Sequence, residues 1–175
     1  MSYLPISSVF EISDWFFRRA DKDDKYIDND KIQQMLLMAQ IHFVINNNSL
    51  LFPAIFVYKN NKITEPNLAK ILEFGLPLIP TPRFDNKISD FLELIWQKYS
   101  PLETKDLNKI ISSHIQTQQQ IISIECFVQS FKSQQNQKSS KENKKVLISQ
   151  NGPVIVSQWK PRKINNTKEP YPCKK

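Results

Sequence analysis

The stretch from Asp28 to Lys59 limits the fold more than any other part of the chain. Ile32, Met35, Leu36, Ala39 and Phe43 recur at the spacing of one helical face. Leu37, Met38, Ile41 and Val44 carry the apolar surface further round the same cylinder. A helix apolar over so wide an arc must be covered on most sides, which places it in the middle of a bundle. Asp28, Asn29 or Asp30 can cap its start. Asn46, Asn47 and Asn48 end it, because Asn tolerates the left-handed conformation that closes a helix. Beyond a polar turn and Leu50-Leu51-Phe52-Pro53, Ile55 to Tyr58 reads as a short β-rich run.

The flanking segments supply further helices. Ser8-Val9-Phe10-Glu11 has the form of a capping box, opening a helix through about Arg19 with Val9, Ile12, Trp15, Phe16 and Phe17 apolar. Asp21 to Lys25 reads as a charged loop; as a calcium loop it lacks the required Gly and Glu, having Tyr26 and Ile32 at those positions. Thr64-Glu65-Pro66 starts a third helix lined by Leu68, Ile71 and Leu72 and stopped by Gly75. Leu76 to Pro82, with three prolines, is expected to be extended. Asp85 or Asn86 opens a fourth helix carrying Ile88, Phe91, Leu92, Ile95, Trp96 and Tyr99. Thr104 is expected to cap a fifth, with Leu107, Ile110 and Ile111. A sixth spans about Ser123 to Phe131.

After Phe131 the texture changes. Lys132 to Lys145 holds Gln, Ser, Lys and Asn with no apolar residue, and such a segment buries too little surface to offset its ordering entropy. It reads as a linker. Val146-Leu147-Ile148, a turn at Asn151-Gly152 and Val154-Ile155-Val156 then suggest a hairpin, although Pro153 sits awkwardly after Asn-Gly. The expected organisation is therefore a helical domain over 1–132, a polar linker over 133–145 and a basic tail over 146–175. The fold class is mostly α: five or six helices in a bundle-like domain with a small β element, plus that tail and its hairpin.

Charge follows the same division. The whole chain carries net +7, yet residues 1–135 hold one more acid than base, so the excess belongs to the last forty residues. No apolar run is long enough to span a bilayer, and residues 1–10 lack the pattern of a signal peptide. With two cysteines only, Cys126 and Cys173, a disulfide framework is not expected and a reduced cytoplasm fits best.

Two segments of the helical region resemble a known family, the Panacea domain of SocA-like antitoxins, which are often phage-associated proteins. The first is Ile32-Gln33-Gln34-Met35-Leu36-Leu37-Met38-Ala39-Gln40, then the Leu51-Phe52 step, then Ile55-Phe56-Val57-Tyr58-Lys59-Asn60-Asn61-Lys62-Ile63. The second is Phe91 to Tyr99 followed by Leu102 to Ile110, similar to the family's Val-Trp-x-x-Tyr helix end, polar turn and Leu-containing helix. The likeness covers Ser8 to Ile111. Where the family has Gly-Pro-Val this chain has Asn61-Lys62-Ile63; Asn can stand for Gly at a positive φ, but Lys62 cannot supply proline's fixed φ. The resemblance implies a bacterial protein that neutralises a cognate toxin by direct binding, without catalysis, and one branch of the family suggests an adaptor that delivers a bound toxin to a protease.

The residues offer little chemistry that competes with this. Two glycines, Gly75 and Gly152, exclude the usual Gly-rich phosphate cradles. His42 and His114 share no ligand spacing with the cysteines, so neither a metal site nor a cofactor is expected. Cys126, beside Phe127, reads as a buried inert thiol. Candidate partner-binding residues are Tyr58, Lys59, Asn60 and Asn61 in the first half, and Trp159, Lys160, Arg162 and Lys163 in the tail. Trp159 among cations suits either base stacking or an anchor onto the body. The alternative function is thus a nucleic-acid-binding accessory protein working through its tail, bound with strong salt dependence, though no recognition-helix motif is visible.

Overall fold

The structure is a computed structural model and describes residues 4–75, 80–115, 119–142, 146–149 and 152–155. It is mostly helical. The elements in order are α1 (Val9–Lys22), α2 (Asn29–Asn47), β1 (Val57–Lys59), β2 (Lys62–Thr64), α3 (Pro66–Leu72), α4 (Asn86–Tyr99), α5 (Thr104–Ser112), β3 (Gln119–Ile121), α6 (Ile124–Glu142), β4 (Val146–Ser149) and β5 (Gly152–Ile155). The chain divides into a unit over 1–128 and a second over 129–175, with α6 running across the boundary.

The central helix of the first unit is α2. Ile32, Met35, Leu36, Leu37, Met38 and Ala39 have no solvent exposure at all. These residues cover every side of two helical turns, so the helix is enclosed, as its wide apolar arc requires. Each buried Leu or Met side chain contributes about 1.5–3 kcal/mol relative to exposure. Asp28 caps the start, its carboxylate accepting from the Lys31 N–H at 2.6 Å. Asn48 ends it at φ 54°, the left-handed conformation for which Asn is suited.

Three glutamines are buried on this helix, and two have clear work. Gln40 Nε2 donates to the Phe52 carbonyl at 3.2 Å, and its Oε1 accepts from the Leu51 and Phe52 N–H groups at 3.3 and 3.4 Å. Gln33 Oε1 accepts from the Glu65 N–H at 2.8 Å. Each thus satisfies backbone groups of a loop that α2 buries, where an unpaired N–H would be costly.

The outer helices are fixed by caps and by one polar cluster. Ser8 accepts from the Phe10 N–H at 3.1 Å, while Glu11 accepts from the Ser7 hydroxyl at 2.6 Å instead of closing the box on Ser8. Glu65 caps α3 through the Leu68 N–H at 2.7 Å, with Pro66 in the first turn. Asp85 caps α4 through the Ile88 N–H at 2.8 Å. Arg19 of α1 holds Glu93 of α4 with two parallel bonds of 2.8 Å, and it also pairs with Asp23. Trp96 Nε1 donates to Asp23 Oδ2 at 2.8 Å. The acidic run after α1 is therefore used in packing: Asp21 and Lys22 belong to the helix, and Asp23 is its C-cap.

Strands β2-β1-β3 form an antiparallel sheet in that order. Tyr58 opposes Ile63, and Val57 opposes both Thr64 and Ile121. Phe56, Tyr58 and Ile63 are buried, so one face joins the core by the two-residue alternation of strands. Only the first strand was expected. Two residues, Asn60 at φ 51° and Asn61 at φ 62°, join β1 to β2. Paired positive φ values are what a type I′ hairpin demands, and Asn meets that demand without Gly.

Two expectations are revised. Thr104 does not cap α5: Glu103 holds the N-cap position, and Thr104 Oγ1 instead donates to Asp28 Oδ2 at 3.0 Å. The polar segment expected to be a linker is helical as far as Glu142. Lys, Gln and Glu are good helix formers, and neither Gly nor Pro occurs between 124 and 142.

In the second unit β4 and β5 pair antiparallel, with Ser149 opposite Gly152. The connection is therefore residues 150–151, one residue earlier than the Asn151-Gly152 turn. This register also accommodates Pro153. The pair flanking a two-residue connection exchanges hydrogen bonds, so the next pair, Ile148 and Pro153, does not need proline's missing N–H.

Candidate functional site

The β1–β2 hairpin carries the first group of predicted partner-binding residues and divides them by role. Tyr58 is buried, and its hydroxyl donates to Asn61 Oδ1. That bond ties the turn to the core, so Tyr58 positions the tip without belonging to the surface. Lys59, Asn60 and Asn61 are exposed. Trp159, Lys160, Arg162 and Lys163 lie outside the described residues, as do Val156 and Leu76 to Ile79.

The sheet's outer face is built by the same alternation that buries Tyr58. Val57 and Ile121 oppose each other there, and Ile55 follows two residues before Val57. Ile55 is 60% exposed and Ile121 68%. Lys59 and Lys62 flank this apolar strip and are exposed. Ile55 also borders a groove of about 580 Å³ that includes Phe10, Pro53, Ala54 and Ile71. Exposed apolar side chains next to a core-anchored element are what a contact surface offers.

Under the hairpin lies a smaller cavity of about 150 Å³, lined by Asp30 and Gln34 of α2, Asn61, Lys62 and Ile63 of the hairpin, and Thr104, Lys105 and Asn108 of α5. Asn108 Nδ2 donates to the Asn61 carbonyl at 3.1 Å, joining α5 to the turn. Lys62 Nζ meets Asp30 Oδ2 at 2.7 Å, and that hydrogen bond raises the ammonium above its ordinary pKa. Both partners are largely exposed, so the pair adds little stability. Gln34 Oε1 and Asn108 Oδ1 are buried with no hydrogen-bond partner. Sequence reasoning missed every residue of this cavity except Asn61. The available signal was Gln34 itself, a polar residue on a helix whose whole circumference is apolar.

Elsewhere His42 and Tyr99 pack against each other. His42 Nε2 lies 2.6 Å from the Tyr99 hydroxyl and 3.3 Å from Lys98 Nζ. Burial, with Lys98 adding to it, lowers His42 to about 4, so the ring is neutral at pH 7. Burial pushes the Tyr99 hydroxyl well above the usual phenol range. Cys126 is half-buried at the start of α6. Among the described residues no group of three His, Cys, Asp or Glu is placed to hold a metal ion, and no helix is long and apolar enough to cross a membrane.

No family model, no curated protein and no solved structure matches the chain.

Proposed function

We propose that this protein is an antitoxin-like binding module, which neutralises a cognate toxin by direct contact and performs no catalysis. The observation that carries the reading is the sheet's outer face. Ile121 of β3 and Ile55, two residues before β1, are exposed, while neighbouring Phe56, Tyr58 and Ile63 are locked into the core. A rigid apolar strip loses little conformational freedom on binding, so its burial converts to affinity with small entropic cost. Lys59 at its margin suits an acidic partner and speeds encounter through charge. The resemblance to Panacea-domain antitoxins rests on residue strings alone, and it points the same way. A toxin made in the same cell implies a cytoplasmic protein. Cell fractionation checks that location.

The test begins with the neighbouring reading frame, expressed alone and then with this protein. Expected is lethality alone and rescue together. Ile55→Asp with Ile121→Asp should abolish rescue while the helical circular dichroism spectrum and the unfolding transition stay as in wild type. Rescue at full strength by the double variant would remove the sheet face from the argument.

The excess positive charge after residue 135 favours a second reading, an accessory protein that binds nucleic acid. Retention of DNA or RNA with affinity falling steeply as salt rises, and no toxin rescue, would select it. A protease adaptor would show toxin loss only when the protease is present.

A further inference from the structure

We propose that the cavity between α2, the β1–β2 hairpin and α5 receives a primary carboxamide, presented by an Asn or Gln side chain of a protein partner. Gln34 is 4% exposed, and its Oε1 has no hydrogen-bond partner. Asn108 Oδ1 is in the same condition, and both residues line the same cavity. The side-chain oxygens of Gln33 and Gln40, on the same helix, both accept backbone N–H groups, so idle amide oxygens are not a general habit of this core. Two unpaired acceptors at one cavity call for a group with two N–H donors.

The charges around the cavity select which donor. Lys62 and Lys105 outnumber Asp30, so an ammonium or guanidinium would enter against net positive charge. A carboxylate or phosphate would suit the lysines and leave both amide oxygens unpaired. A primary carboxamide satisfies both sides: its NH2 donates twice, to Gln34 Oε1 and Asn108 Oδ1, and its carbonyl accepts from Lys62 or Lys105. The terminal amide torsions of Gln and Asn are soft, so a small rotation turns each oxygen to the guest. A volume of about 150 Å³ exceeds the roughly 30 Å³ share of one water, leaving room for the group and part of its stem.

The source in a toxin's side chain rests on the proposed function, but the pocket chemistry does not. It is therefore measured on the full-length protein alone, by the side-chain amide resonances of Gln34 and Asn108. The probes are propionamide, N,N-dimethylpropionamide, phosphate, and Gln within the tripeptide Ala-Gln-Ala. Expected are saturable shifts with propionamide, none with the dimethyl analogue, and at least tenfold tighter binding of the tripeptide. Gln34→Leu and, separately, the milder Asn108→Ala should each abolish the propionamide shifts, and Gln34→Leu should raise the melting temperature of the free protein. Equal affinity for free amide and tripeptide would overturn the protein source. Equal shifts with the dimethyl analogue, response to phosphate only, or ordered water with no probe binding would each overturn the pocket. Toxin rescue can fail while propionamide binds, so the two ideas fall separately.

Discussion

Gln40 grips Phe52 at both ends of one residue, donating to its carbonyl at 3.2 Å and accepting from its N–H at 3.4 Å. The same side chain takes the Leu51 N–H at 3.3 Å. The Ala39-Gln40 and Leu51-Phe52 strings are thus parts of one object: a helix and the loop it holds against itself. Ile6 donates its N–H to the Leu51 carbonyl at 3.0 Å, bringing the start of the chain into the same clamp. A glutamine is needed here because only a side-chain amide offers both a donor and an acceptor on a planar end.

Gln40→Leu should therefore destabilise the protein by about 2–4 kcal/mol, since it leaves buried N–H and C=O groups unpaired. The midpoint of urea unfolding measures this. An unchanged midpoint would mean that water replaces the amide.

Leu36 and Trp96 test the core. Leu36→Asp places a carboxylate where exposure is zero, and a buried unpaired charge exceeds the margin of about 5–15 kcal/mol typical of a small domain. Trp96→Asp removes the Nε1 bond to Asp23 and sets a new negative charge beside it. Both variants should lose the cooperative transition. Trp96→Phe keeps the ring packing and should cost about 1–3 kcal/mol.

The hairpin tip gives a backbone test. Asn60 and Asn61 both hold positive φ, where a residue with Cβ and no local hydrogen bonding pays about 1–2 kcal/mol. Asn60→Ala and Asn61→Ala should each lower stability by that amount, and Asn60→Gly should be neutral within experimental scatter. Asn61→Gly should also free the Tyr58 hydroxyl, readable as a shift in its tyrosine ring resonances.

How much of this was legible beforehand depends on the length of each pattern. The core of α2 could be read because nine apolar residues repeat over four turns. Strands β2 and β3 could not, because Lys62-Ile63-Thr64 and Gln119-Gln120-Ile121 are too short to show alternation. Only pairing with β1 reveals their buried and exposed sides. The polar half of α6 was read as a linker because apolar periodicity is absent there; its helix propagates from the apolar turns before it, which spares it the cost of nucleation. The cavity residues come from three segments at 30–34, 61–63 and 104–108, which only the fold brings together.

The last prediction concerns acid. His42 ordinarily titrates near 6.5 and is lowered to about 4 in the folded protein, by burial first and by Lys98 second. The unfolded chain therefore binds a proton that the native ring refuses. Below pH 6.5 the unfolded state gains protons and stability falls as pH falls, continuing until the folded ring itself titrates near 4. The slope contributed by one such group is at most about 1.4 kcal/mol per pH unit. Carboxylates complicate the lower end of this window, since Asp23 and Glu93 are both held below their usual values by Arg19 and lose their contribution only when protonated. In the window from pH 6.5 to 5 those carboxylates stay ionised, and the difference between wild type and a His42 variant separates this ring from His114. Wild type should lose stability across it by urea unfolding, and His42→Gln, which cannot take up a proton, should show a shallower profile over the same interval. Lys98→Met provides the internal check. Removing the ammonium near the ring should let His42 titrate at higher pH in the folded state, which shallows the loss. Parallel wild-type and His42→Gln profiles would show that the ring is not the group lost to acid.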